Sequence, residues 1–301
     1  MEIHLLTWMS AGPFIKEDVM GLRINTNVAS LNAQRNLSGT KLMMDKTLEK
    51  LASGQRINRA GDDAAGLAIS ENLKAQIRGL SQAERNAQDG VSLVQIAEGA
   101  LSEVSNILIR LRELGVQAAS DTIGATERKF LNVEFEQLMS EVDRIANSTE
   151  FNRVPLLNGT GAVFDIQIGT RNDPMSDRLT FDASSADVNV AALGLNLASI
   201  ADKISAQNSL SAIDQAIINV SGIRADFGAL QNRLQSTINN LAVNVENLSA
   251  ANSRIRDTDI AKETAELTKS NILVTAGTSV LAQANNSTKM ALGLINSTGM
   301  S

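Results

Sequence analysis

Proline placement constrains this chain more than any other feature. Its only three prolines are Pro13, Pro155 and Pro174, so residues 14–154 and 175–301 lack the residue that removes a helical hydrogen bond and clashes with the preceding turn. Both stretches carry apolar side chains in the alternating four-three spacing that lines up on one helical face. In the second, the ladder runs Ile213, Ile217, Val220, Arg224, Phe227, Gln231, Leu234, Ile238, Leu241, Val245, Leu248, Asn252, Ile255, and ten of these thirteen positions are apolar. That is a coiled-coil seam, about 65 Å long at the helical rise per residue. The first stretch answers with Leu73, Ile77, Leu80, Ala87, Val91, Val94, Leu101 and Leu108, interrupted at Glu84, Glu98 and Ser105. A third seam, Leu131, Phe135, Leu138, Val142, Ile145, keeps the spacing without a break. Three stripes far apart in sequence can bury one another, which predicts a mainly α fold: an elongated, coiled-coil helical bundle.

Composition narrows the chemistry. Aromatic residues make up 3% of the chain, there is no Tyr and no Cys, and the one histidine is His4. A disulfide frame, a cysteine-based metal site and a cysteine nucleophile are therefore excluded. A formal charge of −6 argues against a nucleic-acid partner, which needs clustered Lys and Arg. The apolar 43% is mostly Ala, Leu, Ile and Val, suited to narrow helix–helix seams. The reading is of a protein without enzymatic activity, cofactor or metal.

Between the seams the period changes. "AVFDIQIGT" alternates Phe164, Ile166 and Ile168, "RLTFDAS" alternates Leu179 and Phe181, and "RNDPMSD" between them is a turn-forming cluster. This predicts a small β-hairpin lying on the helices.

The ends differ from the middle. Residues 270–288 contain no charge, yet Asn, Gln, Ser and Thr make up about half of that segment, and burying them in lipid is costly; no membrane insertion is expected. At the other end, "INTNVASLNAQRNL" places Ile24, Val28 and Leu31 on one face. Two amphipathic end helices could close on each other within a monomer. Alternatively their apolar faces, including Leu273, Val280 and Leu281, are completed by other copies of the chain, with the ends loose until assembly orders them.

One stretch halts the helical pattern: "INRAGDDAAGLAIS", residues 57–70. A phosphate-binding turn would need a Lys after its glycines, and acid–base chemistry would want a nearby His; neither is present. As a junction it makes sense. Asp62 or Asp63 can cap the following helix at its positive end, and Ala64, Ala65, Gly66 and Ala68 leave room for close backbone approach.

Two long blocks then carry a family resemblance. "INTNVASLNAQRNL" with "LEKLASGQRINRAGDDAAGLAISENLKAQIRGLSQAERNAQDGVSLVQIAEGALSEVSNILIRLRELGVQAA" at one end, and "SRIRDTDIAKETAELTKSNILVTAGTSVLAQAN" at the other, resemble the N- and C-terminal blocks of bacterial flagellins. The resemblance covers nearly all of residues 20–296. It implies a structural subunit, exported through the flagellar type III apparatus without a cleaved signal peptide, that self-polymerises into the extracellular filament used for swimming. It implies an N-terminal D0-like helix and spoke over residues 20–60, D1 N-terminal helices over 61–150, a hairpin and loop region over 151–200 in place of outer domains, a long D1 C-terminal helix over 201–255, and a C-terminal D0-like helix over 256–301. Residues 1–19, "MEIHLLTWMSAGPFIKEDV", match nothing in the family; they form an atypical extension, from a mis-assigned start codon or a cloning remnant, with Met20 the natural first residue.

The implied subunit interface comprises Ile24, Val28, Leu31, Leu273, Val280 and Leu281, with Arg56, Arg59, Asp62 and Asp63 at the junction where neighbours crowd; the two arginines are expected to meet acids on a neighbour. Implied partners are further copies of the chain, hook-associated and cap proteins, and a cytoplasmic export chaperone at the C-terminus. Toll-like receptor 5 of animal hosts is implied through Arg110, Leu114 and Glu134, although Ile109 stands where strongly recognised relatives have Gln. Some flagellins carry an inserted zinc protease, whose HExxH motif this single-histidine chain cannot supply. The rivals are a hook–filament junction protein, which would carry extra domains between the halves; a cell-surface paralogue that binds polysaccharide, which would want aromatic platforms; and a chemoreceptor-like helical hairpin, which would need neither strands nor an uncharged tail.

Overall fold

The two longest ladders become the two longest helices of the main body. The computed structural model describes residues 26–298, with the backbone alone for 291, 292 and 294–298, and it divides into two compact bodies. In the main body, Ala64–Ile255, helix α2 spans Ala64–Ala118 and helix α4 spans Lys203–Arg256. They run antiparallel. Arg112 pairs with Asp214 at 2.6 Å and Glu98 with Arg224 at 2.8 Å, and a Cβ added at Gly90 would meet Leu234. Helix α3, Ala125–Ser148, returns along α2 and buries Phe135, Val142 and Ala146. Leu101, Leu108, Leu111, Leu114, Phe135, Ile213, Phe227 and Leu234 form the centre of one continuous core.

Two of the charged interruptions in the facing ladders, Glu98 and Arg224, pair with each other. Arg224 donates from Nε and Nη2 to Glu98 Oε1, at 3.0 and 2.8 Å, so neither charge faces an apolar neighbour without a partner. Burial along the α4 ladder is graded. Ile213, Val220, Phe227, Leu234 and Leu241 are buried, whereas Val245, Leu248, Asn252 and Ile255 are half-buried, as are Leu73, Ile77 and Leu80 on α2.

The predicted hairpin is present. Strand β3, Val163–Gln167, pairs antiparallel with β4, Arg178–Asp182, setting Phe164 opposite Phe181 and Ile166 opposite Leu179. (Strands β1, Glu150–Phe151, and β2, Val154–Pro155, precede them in the chain.) The β3–β4 hairpin lies on the helices: Ile166 and Leu179 are buried, the Phe181 ring sits 4.8 Å from that of Phe227, and Asn86 Nδ2 donates to the Gln167 carbonyl at 3.0 Å. Gly90 makes this approach possible, because a Cβ there would stand 2.6 Å from Ile166 Cδ1.

The short β1–β2 hairpin turns through Asn152 and Arg153, both with positive φ (51° and 65°). That is the twist two-residue hairpin turns require, achieved here without glycine. The segment from Leu156 to Ile200 has little regular structure apart from β3, β4 and a single 3-10 turn at Ala183–Ser185. It nevertheless buries Leu156, Leu157, Val188, Leu195 and Ile200 completely. Val188 N donates to the Leu157 carbonyl at 2.9 Å, and Val190 N to Asp143 Oδ1 at 2.8 Å, tying it to α3.

The second body is built from the two chain ends, residues up to Asp63 and from Arg256 onward. Helix α1, Val28–Ser53, and helix α5, Ile260–Thr298, lie antiparallel. Asn27 Nδ2 donates to the Ala284 carbonyl at 2.8 Å, Leu37 Cδ1 lies 3.2 Å from where a Cβ on Gly277 would be, and Lys50 pairs with Glu263 at 3.2 Å. Asn27 caps α1 by accepting from Ser30 N, and Gly54, in the left-handed conformation at φ 69°, stops it.

Gly90 gives a test of the hairpin's seat. Gly90→Ala should be nearly neutral, because a gain of about 1 kcal/mol in helix propensity offsets the small shift asked of the Ile166 methyl. Gly90→Val should destabilise the main body by about 1–3 kcal/mol through overpacking, lowering the thermal midpoint of circular dichroism by several degrees. An unchanged midpoint for the valine variant would mean that the hairpin does not rest there.

Candidate subunit interface on the end helices

Small and polar groups hold α1 to α5. The buried residues of the pair are Ala33 and Thr47 on α1 and Ser270 on α5, and Gly277 is the point where Leu37 comes close. Leu37, Met44 and Leu51 on α1 and Leu267, Val274 and Leu281 on α5 are half-buried, while a second set of large apolar side chains is open to water. On α1, Leu31 is 55% exposed and Leu42 and Met43 are 63% exposed each; on α5, Ile272 is 64% exposed, and Leu273, Val280 and Met290 are also open to water. Each helix is thus apolar on more than the one face its partner covers. Fully burying one such side chain is worth about 1.5–3 kcal/mol. The pair thus carries a large apolar surface that its own fold leaves unused.

Of the residues expected at an interface, Val28, Leu31, Leu273 and Val280 are exposed on these helices and Leu281 is half-buried. Ile24 lies outside the described residues. Leu42, Met43, Leu48, Ile272 and Met290 extend the same surface and were not anticipated. Their signal was in the sequence: adjacent apolar pairs such as Leu42–Met43 and Ile272–Leu273 cannot both face a single partner helix.

The junction loop is tied within its own chain. Arg56 N donates to the Arg256 carbonyl at 2.7 Å, Gln55 bridges to Asp257, and Ile57 is buried as the loop's apolar anchor. Arg59, expected to meet an acid on a neighbour, pairs with Glu49 of the same chain at 2.9 Å. Asp62, considered as a cap for the helix that follows, instead turns back. Its amide donates to the Arg59 carbonyl at 2.9 Å, and this reversal sets its carboxylate over the amides of Arg59 and Asn58, at 3.0 and 3.2 Å. Asp63 is the residue immediately before α2. Those two amide donors, Arg59 first, hold the Asp62 carboxyl below its ordinary value, with Lys46 and Lys50 adding a smaller favourable field.

On the main body, Arg110 is exposed and donates to Glu113 at 2.9 Å and to Glu134 at 2.8 Å, joining α2 to α3. Leu114 does not belong with them at the surface. It is 0% exposed, on the stripe with Leu101, Leu108 and Leu111 that packs into the core. Its expected role as a receptor-facing residue is therefore corrected: three residues beyond the buried Leu111, it keeps the spacing of the core stripe. Among the described residues there is no group of His, Cys, Asp and Glu able to hold a metal ion, and no helix is long and apolar enough to cross a membrane.

Residues 24–162 match the bacterial flagellin N-terminal helical region, and residues 210–295 match the bacterial flagellin C-terminal helical region. The chain is 47% identical over 272 residues to a flagellin of Halalkalibacterium halodurans, covering 90% of this chain and 99% of that one. It is 46% identical over 304 residues to a flagellin of Bacillus subtilis, covering 91% and 100%. A structure described as a putative flagellar hook-associated protein from Vibrio parahaemolyticus superposes with a TM-score of 0.55 at 18% identity, covering 65% of this chain and 100% of that one. At that identity the likeness speaks for the fold alone.

The junction loop should titrate. A carboxyl whose pKa is lowered by folding stabilises the loop above the ordinary aspartate value of 3.8, and that contribution is lost as pH falls through the lowered value. The amide resonances of Asn58 and Arg59 should therefore shift together with a midpoint below 3.8, and Asp62→Asn should abolish the step. A midpoint above that value would show that the carboxylate does not hold these amides.

Proposed function

We propose, from the premise that this chain belongs to the bacterial flagellin family, that its end helices are the surface through which copies stack. The chain is a structural subunit that self-polymerises into the extracellular filament of the bacterial flagellum. In this reading the α1–α5 pair is the D0-like part that packs in the filament interior, the main body is D1-like, and residues 151–200 stand where other flagellins carry outer domains.

One observation carries the proposal. Leu31, Leu42, Met43, Ile272, Leu273 and Val280 are exposed on a helix pair that, among the described residues, buries only Ala33, Thr47 and Ser270 and leaves Leu37, Met44, Leu51, Leu267, Val274 and Leu281 half-buried. A monomer gains little from such an arrangement, whereas neighbouring copies can bury those side chains and supply the hydrophobic stabilisation that the pair lacks. Val28 and Leu281 extend the surface along the same helices, Arg56, Arg59, Asp62 and Asp63 form its border at the junction loop, and Ile24, outside the described residues, is assigned to it from the sequence alone.

The same surface suits a cytoplasmic export chaperone on α5 before assembly, since an open apolar stripe at high concentration favours premature association. Hook-associated and cap proteins, which would meet the first and last subunits, are the remaining partners in this reading. For a host receptor, the exposed Arg110–Glu134 pair is the support on the main body. No catalytic step is assigned, in keeping with a family of structural proteins. The hook–filament junction and polysaccharide-binding alternatives are not favoured.

Deleting residues 273–301 should leave a protein that is monomeric by sedimentation, keeps the helical circular dichroism of the main body, and forms no filaments under conditions where the full chain does. Loss of main-body helicity in the truncated protein would instead place the tail in the monomer's core.

A further inference from the structure

A groove of about 450 Å³ runs between the β3–β4 turn and helix α4, lined by Arg178, Arg233, Ser176, Asn232, Ser236 and Thr237, with Ile168 and Leu179 at its base. Its two guanidinium groups stand out in a body that is otherwise acidic, since Ala64–Ile255 holds 22 Asp and Glu against 15 Lys and Arg. Four of its twelve arginines, Arg110, Arg112, Arg144 and Arg224, make ion pairs inside the chain. Arg178 and Arg233 make none among the described residues, and the only side-chain bond of Arg178 goes to the neutral amide of Asn172. The acids closest in sequence are occupied. Asp173 accepts from Met175 N and Ser176 Oγ, and Asp177 accepts from Asp173 N.

Two guanidinium forks with Ser236 and Asn232 beside them match a carboxylate in chemistry. We propose that this groove receives an acidic side chain from the main body of a second copy of this chain, an inference that rests on the filament reading. Charge complementarity supplies the argument for that occupant. The acid-rich remainder of each main body offers the groove many carboxylates, and a site holding two arginines without acidic partners attracts a neighbour of the same net charge rather than repelling it. A free oxyanion such as sulfate shares the chemistry, so the test separates the two sources.

The test compares the full chain with Arg178→Gln/Arg233→Gln. Both should show the same helical circular dichroism and thermal midpoint, because neither arginine supports the core. The double variant should need about tenfold more protein for seeded filament growth at low salt, and the difference should shrink as salt screens the contact. A Thr237→Cys variant of this otherwise cysteine-free chain, labelled with a photo-crosslinker, should join in filaments to an acidic stretch of residues 64–255 on another copy. Equal growth of both proteins, or crosslinks confined to one chain, would overturn the inference while leaving the filament reading intact. A growth advantage conferred by sulfate over chloride at fixed ionic strength, seen in the full chain and absent from the double variant, would assign the groove to a free anion and overturn the second-copy occupant. Failure of the unaltered chain to elongate filament seeds would defeat the filament reading, and this inference with it.

Discussion

The contact between α1 and α5 is the constraint on which the account depends. Ala33, Thr47 and Ser270 are buried and Gly277 receives Leu37, with Met44, Leu51, Leu267, Val274 and Leu281 half-buried on the same two helices. One partner helix can cover only one face, and Leu31, Leu42, Met43, Ile272 and Val280 are left exposed. Hydrogen bonds from Asn27 and an ion pair between Lys50 and Glu263 fix the register of the pair, but groups of this kind contribute modestly in water. The larger stabilisation available to these helices is apolar burial, and only other molecules can provide it.

The main body solves the opposite problem and solves it alone. Its three helices and the irregular segment from Leu156 to Ile200 share one buried cluster, two of its interrupting charges meet as Glu98 and Arg224, and Gly90 admits the hairpin to the helical surface. A body with a complete core can be stable while the chain is a monomer, and a helix pair without one depends on concentration and on neighbours. Stability of one part and conditional order in another are what a subunit needs if it must stay unassembled until it reaches its destination.

Much of this was legible in the residues, for physical reasons that differ from element to element. The ladders from Ile213 to Leu241 and from Leu131 to Ile145 work because a long, proline-free apolar repeat has few ways to hide itself other than a helical seam. The β3–β4 hairpin was visible through its two-residue alternation. The β1–β2 hairpin was not, because Asn152 and Arg153 adopt left-handed backbone without the glycine that usually announces such a turn. The buried leucines at 156, 157 and 195 follow no period, so nothing local marks them as core. Leu114 was misplaced because its sequence neighbourhood, rich in charge, suggests a surface that helical rotation denies it. Asp62 or Asp63 was read as the cap of the following helix, and of the two Asp62 is instead the lock of a loop, through the reversal at Arg59. Leu42, Met43 and Ile272 were passed over, although Leu273 beside the last was anticipated, because apolar residues are commonly assumed to point inward.

Hydrogen exchange followed by mass spectrometry, on dilute unassembled protein and on filaments of the same chain, tests the central claim most directly. The account predicts that peptides from α1 and α5 exchange rapidly in the monomer while those from α2 and α4 are protected, and that assembly brings the end helices to comparable protection. End helices already as protected as α2 in the dilute monomer would show that they have a core of their own, and would contradict the claim that only sister molecules complete them.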